Sequence, residues 1–411
     1  MDELRARREK IYNQFDKISG PYEFYHLQKK LMEEILSAEK RIISEEADVD
    51  LWKDHLDRIY AIGDALVWTV LDSFTIRQLG KYESVRTNLS SQEEVIREVI
   101  QTYEKKAKDN IYIFSDLTRC ITLGDIIEVF NPNEILIHES KSSYPEKLTA
   151  ANILRGRNGR QFSKAFWLQR LLKNGFEKLY SQETPTKVIQ HASPEATHIH
   201  LIPELMDKCS DSEGGFSFIQ PEEGLLYIAK RMEDDNELTD EEMSSLPSLE
   251  GALIASTARL IEEPRETIYH TPPLALQLPL ANRISLNEVD INILCILSNT
   301  YIEEVCSHLG FTYQQDENGF PKLSKEKKSH TFHVRFINDI MINFVPVHEV
   351  IRVLGEIFET IEGAESKLTV EEENYLEERP KNRAEFVNYL QKNYVITTTD
   401  NSIQVNEVND I

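Results

Sequence analysis

The stretch from Asn110 to Ser143, NIYIFSDLTRCITLGDIIEVFNPNEILIHESKSS, constrains the fold more than any other. Ile111 to Phe114 is a short apolar run. Ile121, Leu123, Ile127 and Val129 recur at period two and predict a strand. Asn131-Pro132-Asn133 is a turn cluster, and Ile135, Leu136 and Ile137 open a further strand, apolar on both faces as inside a sheet. Two acids and a lysine interrupt these runs. Alternation places Asp125 on the face of Leu123 and Ile127, and Glu139 and Lys141 on that of Ile135 and Ile137. A carboxylate on a buried strand is costly unless paired or bound to metal. Two carboxylates on adjacent strands suit a divalent cation such as Mg²⁺, which prefers oxygen ligands from one or two carboxylates, water and phosphate.

Gly124-Asp125-Ile126, followed by Glu139-Ser140-Lys141, resembles the PD-(D/E)XK nuclease superfamily over about residues 90–190. The resemblance implies that Asp125, Glu139 and the main chain of Ser140 bind Mg²⁺ or Mn²⁺, and that Lys141 positions or activates the attacking water. In that family the helix before the Asp strand often donates another acid, for which Glu98 is the candidate. The helix after the Glu-x-Lys strand places a glutamine or basic residue near the scissile phosphate, which directs attention to Arg160, Gln161 and Lys164. No Gln-x-x-x-Tyr pattern follows, since Ala165 stands four residues after Gln161. Asp116 and Arg119, in the corner before Asp125, are expected to serve the turn. His198 and His200 flank Ile199 and would share a side on a strand, without an acid to complete a metal site.

Charge sharpens the same region. The chain carries a net −24, which argues against general coating of DNA. From Lys141 to Gln190, however, basic residues outnumber acidic ones ten to three. A phosphate-tracking surface including Arg155, Arg157, Arg160, Gln161 and Lys164 is expected there. The resemblance implies hydrolysis of phosphodiester bonds, in DNA in preference to RNA, with RNA left open, in a bacterial restriction or anti-phage setting; the acidic balance suits a homo-oligomer or partner protein that supplies control. The alternative is a non-enzymatic assembly or regulatory subunit built on an inactive nuclease fold.

The expected fold is α/β, more strictly α+β and multidomain, in four stretches. Residues 1–88 are a helical N-terminal region with helices over 4–18, 22–43 and 51–79, Trp52 and Trp68 being core anchors. Residues 89–212 hold a restriction-endonuclease-like mixed sheet, including a strand over 186–189. Residues 213–265 are a hairpin and acidic connector, with a helix over 249–261. Residues 266–411 form a C-terminal α/β domain with strands at 291–296, 331–336 and 340–344, a helix at 347–361 and a loose tail from Thr397. Cys120, Cys209, Cys295 and Cys306 form no Cys-x-x-Cys pair, so a reducing cytoplasm is expected. No apolar signal core or membrane-length apolar run is present. No glycine-rich phosphate loop, zinc knuckle or Gly-x-Ser-x-Gly elbow occurs either.

Overall fold

The computed structural model describes residues 2–44, 48–82, 88–132, 134–138, 156–179, 185–188, 194–232, 238–249, 251–258, 261, 270–317, 319–363, 367–399 and 402–407. The chain divides into two units, residues 1–188 with 367–411, and residues 189–366. Helices and small antiparallel sheets are mixed in both, so the general α/β character is present. Among the described residues no helix is long and apolar enough to cross a membrane.

The first unit opens with helices α1 (Asp2–Phe15), α2 (Pro21–Ile43), α3 (Val49–Val70) and α4 (Ser73–Gly80). Pro21 suits the first turn of α2 because its missing N–H would have no partner there. Leu27, Leu31 and Ile35 of α2 and Ile59, Ile62 and Leu66 of α3 recur at helical spacing and are buried. The single helix expected over 51–79 is broken at Leu71, and Asp72 caps α4 by accepting from Thr75 N–H at 2.7 Å. Trp52 and Trp68 are half-buried rather than core. The Arg7 and Arg41 guanidiniums stack on Trp52, 5.7 and 5.8 Å from its ring centroid.

Helix α5 (Glu93–Tyr103) leads into strands β1 (Ile111–Phe114), β2 (Ile126–Asn131) and β3 (Glu134–His138). They form an antiparallel sheet in the order β1-β2-β3, with Ile113 opposite Ile127 and Ile127 opposite Ile137. The sheet is antiparallel, not mixed, among the described residues, and β3 lies at its edge rather than inside it. The outer edge of β1 is closed from α2. Gln28 accepts from Phe114 N–H at 2.9 Å and donates to Tyr112 C=O at 2.7 Å, which satisfies an edge that would otherwise invite pairing. Helix α6 (Gly156–Asn174) packs against β3. The strand expected at 186–189 is a two-residue β5 (Thr186–Lys187), paired with β4 (Phe176–Glu177) outside that sheet.

Residues 367–411 belong to this unit. Glu177 is fully buried and accepts from Tyr375 O–H at 2.8 Å, with Arg170 and Arg379 at 3.7 and 3.6 Å. The expected loose tail is instead a hairpin of Tyr394–Thr399 with Ser402–Glu407.

The second unit is built on a four-stranded antiparallel sheet, β6-β7-β9-β8, of β6 (Phe216–Glu222), β7 (Leu225–Arg231), β8 (Ala252–Ser256) and β9 (Ile291–Ser298). The division expected near residue 265 runs through this sheet, because β9 pairs with both β7 and β8. The segment read as a helix over 249–261 supplies β8, at an edge of this sheet. The two strands expected at 331–336 and 340–344 give way to a helix, Arg335–Met341. Its Phe336, Ile337, Ile340 and Met341 are buried, a one-then-four spacing that fits a helix better than alternation. Ile199–Leu201 is a 3₁₀ turn, so the two flanking histidines do not share a strand face. The helix Val347–Glu362 buries Val350, Ile351, Val353, Leu354, Ile357 and Phe358, as its periodicity requires.

Candidate metal and nucleic-acid site

Asp125 does not lie within a strand but at the bend immediately before β2. Gly124 makes that bend possible. Its φ is +81°, and a Cβ there would meet Ile137 Cγ2 at 2.4 Å, so only glycine lets the chain turn over β3 at this point. Asp125 is then held by its backbone on both sides. Its N–H donates to His138 C=O at 2.9 Å, and its C=O accepts from Ser115 N–H at 3.0 Å. The ladder thus continues one residue past β2, and fixes Asp125 against the last described residue before Glu139.

The loop entering this bend is anchored from α3. A Cβ on Gly63 would meet Leu117 O at 2.0 Å, so helix and loop touch backbone to backbone. Next to it, fully buried Asp64 accepts from the N–H groups of Arg119 (2.5 Å) and Cys120 (2.8 Å), and pairs with Arg119 Nε at 3.2 Å. Arg119 is therefore a structural partner of Asp64, and Asp116 is exposed. From α4, Leu79 C=O accepts from the N–H and Oγ1 of Thr122 at 3.1 and 3.0 Å. That contact brings the end of α4 to the same loop, three residues from Asp125.

One face of the sheet carries a buried polar cluster. Glu128 stands opposite Tyr112 and diagonal to His138. Its Oε2 lies 3.1 Å from His138 Nε2, and its Oε1 accepts from Tyr112 O–H and Asn110 Nδ2, each at 2.8 Å. Burial pushes the Glu128 carboxyl up, but the bonds from His138, Tyr112 and Asn110 outweigh it and hold it below the ordinary glutamate range. Beside a carboxylate, His138 Nε2 carries the proton. Its Nδ1 is buried and has no hydrogen-bond partner among the described residues. Tyr103 of α5 covers the cluster edge-on, 4.8 Å from Tyr112 and 6.3 Å from His138.

Of the other expected residues, Glu139, Ser140, Lys141 and Arg155 lie outside the described residues, as does the side chain of Arg157. Glu98 is exposed on α5. Arg160 is exposed at the start of α6, while Gln161 and Lys164 are half-buried. Lys164 Nζ sits 4.6 Å from the ring centroid of Tyr82. No group of three or more His, Cys, Asp or Glu side chains that could hold a metal occurs among the described residues. Mg²⁺ needs only one or two carboxylates beside its waters; the donors the motif would supply are Asp125, Glu139 and the Ser140 carbonyl, of which the last two lie outside the described residues.

The motif directed attention to Asp125 but missed Glu128, His138, Lys81 and Tyr82. A glutamate between Ile127 and Val129 was a legible signal, since a charge amid an apolar strand demands partners. Nothing in the sequence brings Lys81 or Tyr82 to α6. No family model, no curated protein and no solved structure matches this chain.

Proposed function

We propose that the chain is a Mg²⁺-dependent nuclease of the PD-(D/E)XK kind, acting on DNA in preference to RNA in a bacterial restriction or anti-phage setting. The observation that supports this reading is the placement of Asp125. A glycine turn and two backbone hydrogen bonds fix it, one from Ser115 N–H and one to the carbonyl of His138, the residue that precedes Glu139-Ser140-Lys141. In this reading Asp125, Glu139 and the Ser140 carbonyl hold the ion, which supplies charge neutralisation at the scissile phosphate and a more acidic water. Asp125 orients that assembly from the sheet end. Lys141 holds the attacking water in line or offsets its charge. Arg160, Gln161 and Lys164, with Arg155 and Arg157 beside them in sequence, hold the backbone.

The test is cleavage of plasmid, linear DNA and RNA with Mg²⁺, with Mn²⁺ and with chelator, comparing wild type with Lys141→Ala. Cutting that requires metal and falls at least about a hundredfold in the variant is expected, since even outer-shell partners of a metal are worth ten- to a hundredfold. Metal-independent cutting, or equal cutting by both proteins, would overturn the assignment. Absence of cutting together with full biological function of Lys141→Ala would favour a scaffold built on an inactive nuclease fold.

A further inference from the structure

The end of α4 and the face of α6 bring two lysines to one aromatic ring. Lys164 Nζ lies 4.6 Å and Lys81 Nζ 5.5 Å from the Tyr82 centroid, both within cation–π range. Arg160 is one helical turn before Lys164, so the two share a face of α6. None of these three cations is paired with a carboxylate among the described residues; besides the Tyr82 ring, Lys81 meets the Gln78 amide oxygen. This is unexpected in a chain of net charge −24, where lysines elsewhere meet acids, as in Lys40–Glu93, Lys187–Glu372 and Lys230–Glu242. Like charges gathered without a counter-ion repel, so an arrangement of this kind calls for an anion.

The electrostatics agree. The Lys81 residue is exposed as a whole, yet its ammonium is partly desolvated beside the ring, which pulls its pKa down to about 8. Desolvation is the sole cause; no acid offsets it. The Tyr82 O–H is buried without a hydrogen-bond partner among the described residues, and burial pushes its pKa up to about 12. Tyr82 thus stays neutral and serves as a platform. The cluster is also well placed. Lys81 follows by two residues the Leu79 carbonyl that Thr122 binds, and Thr122 leads by three residues to Asp125.

Resting on the nuclease reading, we propose that Lys81 and Lys164, gathered on the Tyr82 ring, and Arg160, one turn before Lys164 on α6, form a cradle for a backbone phosphate of the nucleic-acid substrate beside the Asp125 site. The phosphate bound is a neighbour of the scissile one. The cradle sets where the strand crosses the sheet end and contributes to affinity irrespective of base sequence.

The test is fluorescence anisotropy with a short fluorescein-labelled DNA duplex and the matching RNA, in chelator so that no cleavage intervenes, over a range of salt. Lys81→Gln and Lys164→Gln are each expected to weaken binding and to lower the slope of log affinity against log salt by about 1. Lys53→Gln, on α3 and paired with Asp50, is expected to leave both unchanged. Tyr82→Leu keeps the lysines but removes their platform, and is expected to weaken binding without changing the protein's charge. A thermal melt of each variant verifies the fold. Wild-type binding and cleavage with unaltered affinity and slope in Lys81→Gln and Lys164→Gln would overturn the cradle alone and leave the nuclease reading standing. Wild type that binds neither polymer would overturn both.

Discussion

Each unit of this chain sets one glutamate between a histidine and a tyrosine, Glu128 buried and Glu222 half-buried, and the two clusters join different elements. In the first unit Glu128 joins His138 and Tyr112, which come from three neighbouring strands of one small sheet. In the second unit Glu222 Oε1 lies 2.8 Å from His198 Nε2 and accepts from Val347 N–H at 3.0 Å, while Oε2 accepts from Tyr301 O–H at 3.0 Å. Those partners come from a 3₁₀ turn, a helix N-terminus and a separate helix. The Glu222 cluster ties distant segments together. The Glu128 cluster only stiffens a sheet whose strands are already paired, at the end where the backbone fixes Asp125. Similar residues thus tie distant segments in one place and brace a single sheet, beside the proposed site, in the other. The role is read from which elements they join, not from the residue types.

The comparison can be broken most forcefully at Glu222. Its carboxyl is pushed up by burial but held below the ordinary glutamate range by His198, Val347 N–H and Tyr301. Glu222→Ala leaves all three without their acceptor and is expected to cost the second unit about 2 kcal/mol, as for hydrogen bonds to a charged group, read by urea unfolding. The lowered pKa also fixes the sign with pH. The stabilisation is complete above the ordinary value of 4.5 and is lost as pH falls through the lower folded value. Acid should therefore destabilise wild type more steeply below that point than Glu222→Gln. Equal acid sensitivity of the two proteins would deny Glu222 its role as a clasp.

A smaller stability effect is expected at Glu128, with a functional one in its place. Glu128→Gln retains the shape of the cluster and an acceptor for Tyr112, so the loss of stability should stay near 1 kcal/mol. Cleavage should nevertheless fall about tenfold, as for outer-shell partners of a metal site. A variant that is badly destabilised yet fully active in its folded fraction would make the two clusters equivalent.

Much of the fold was legible where periodicity ran long. Helices α2 and Val347–Glu362, and strands β1, β3, β7 and β9, follow their apolar patterns closely. Short segments were less legible because a few apolar residues fit either period. Ala252–Ser256 and Arg335–Met341 exchanged their expected classes for that reason, the sheet partner β9 deciding the first and burial of Phe336, Ile337, Ile340 and Met341 the second. The pairing of β9 with β7 and β8 joins stretches far apart in sequence, which no local pattern reveals. At the site, Gly124-Asp125 was legible as a motif, but its position one residue before β2 was not. It depends on a glycine φ and on the nearness of Ile137. Lys81 and Tyr82 were invisible for a further reason: their meeting with Lys164 is made by the approach of α4 and α6.

In the proposed function, the end of the first unit's sheet holds a divalent metal through Asp125. Titration of Mn²⁺ into wild type and Asp125→Asn, followed by calorimetry, tests it most directly, with a thermal melt to confirm that both are folded. One Mn²⁺ bound per chain by wild type, and none in the same concentration range by the equally stable variant, is the predicted result. Equal binding by the two proteins, or none by wild type, would contradict it.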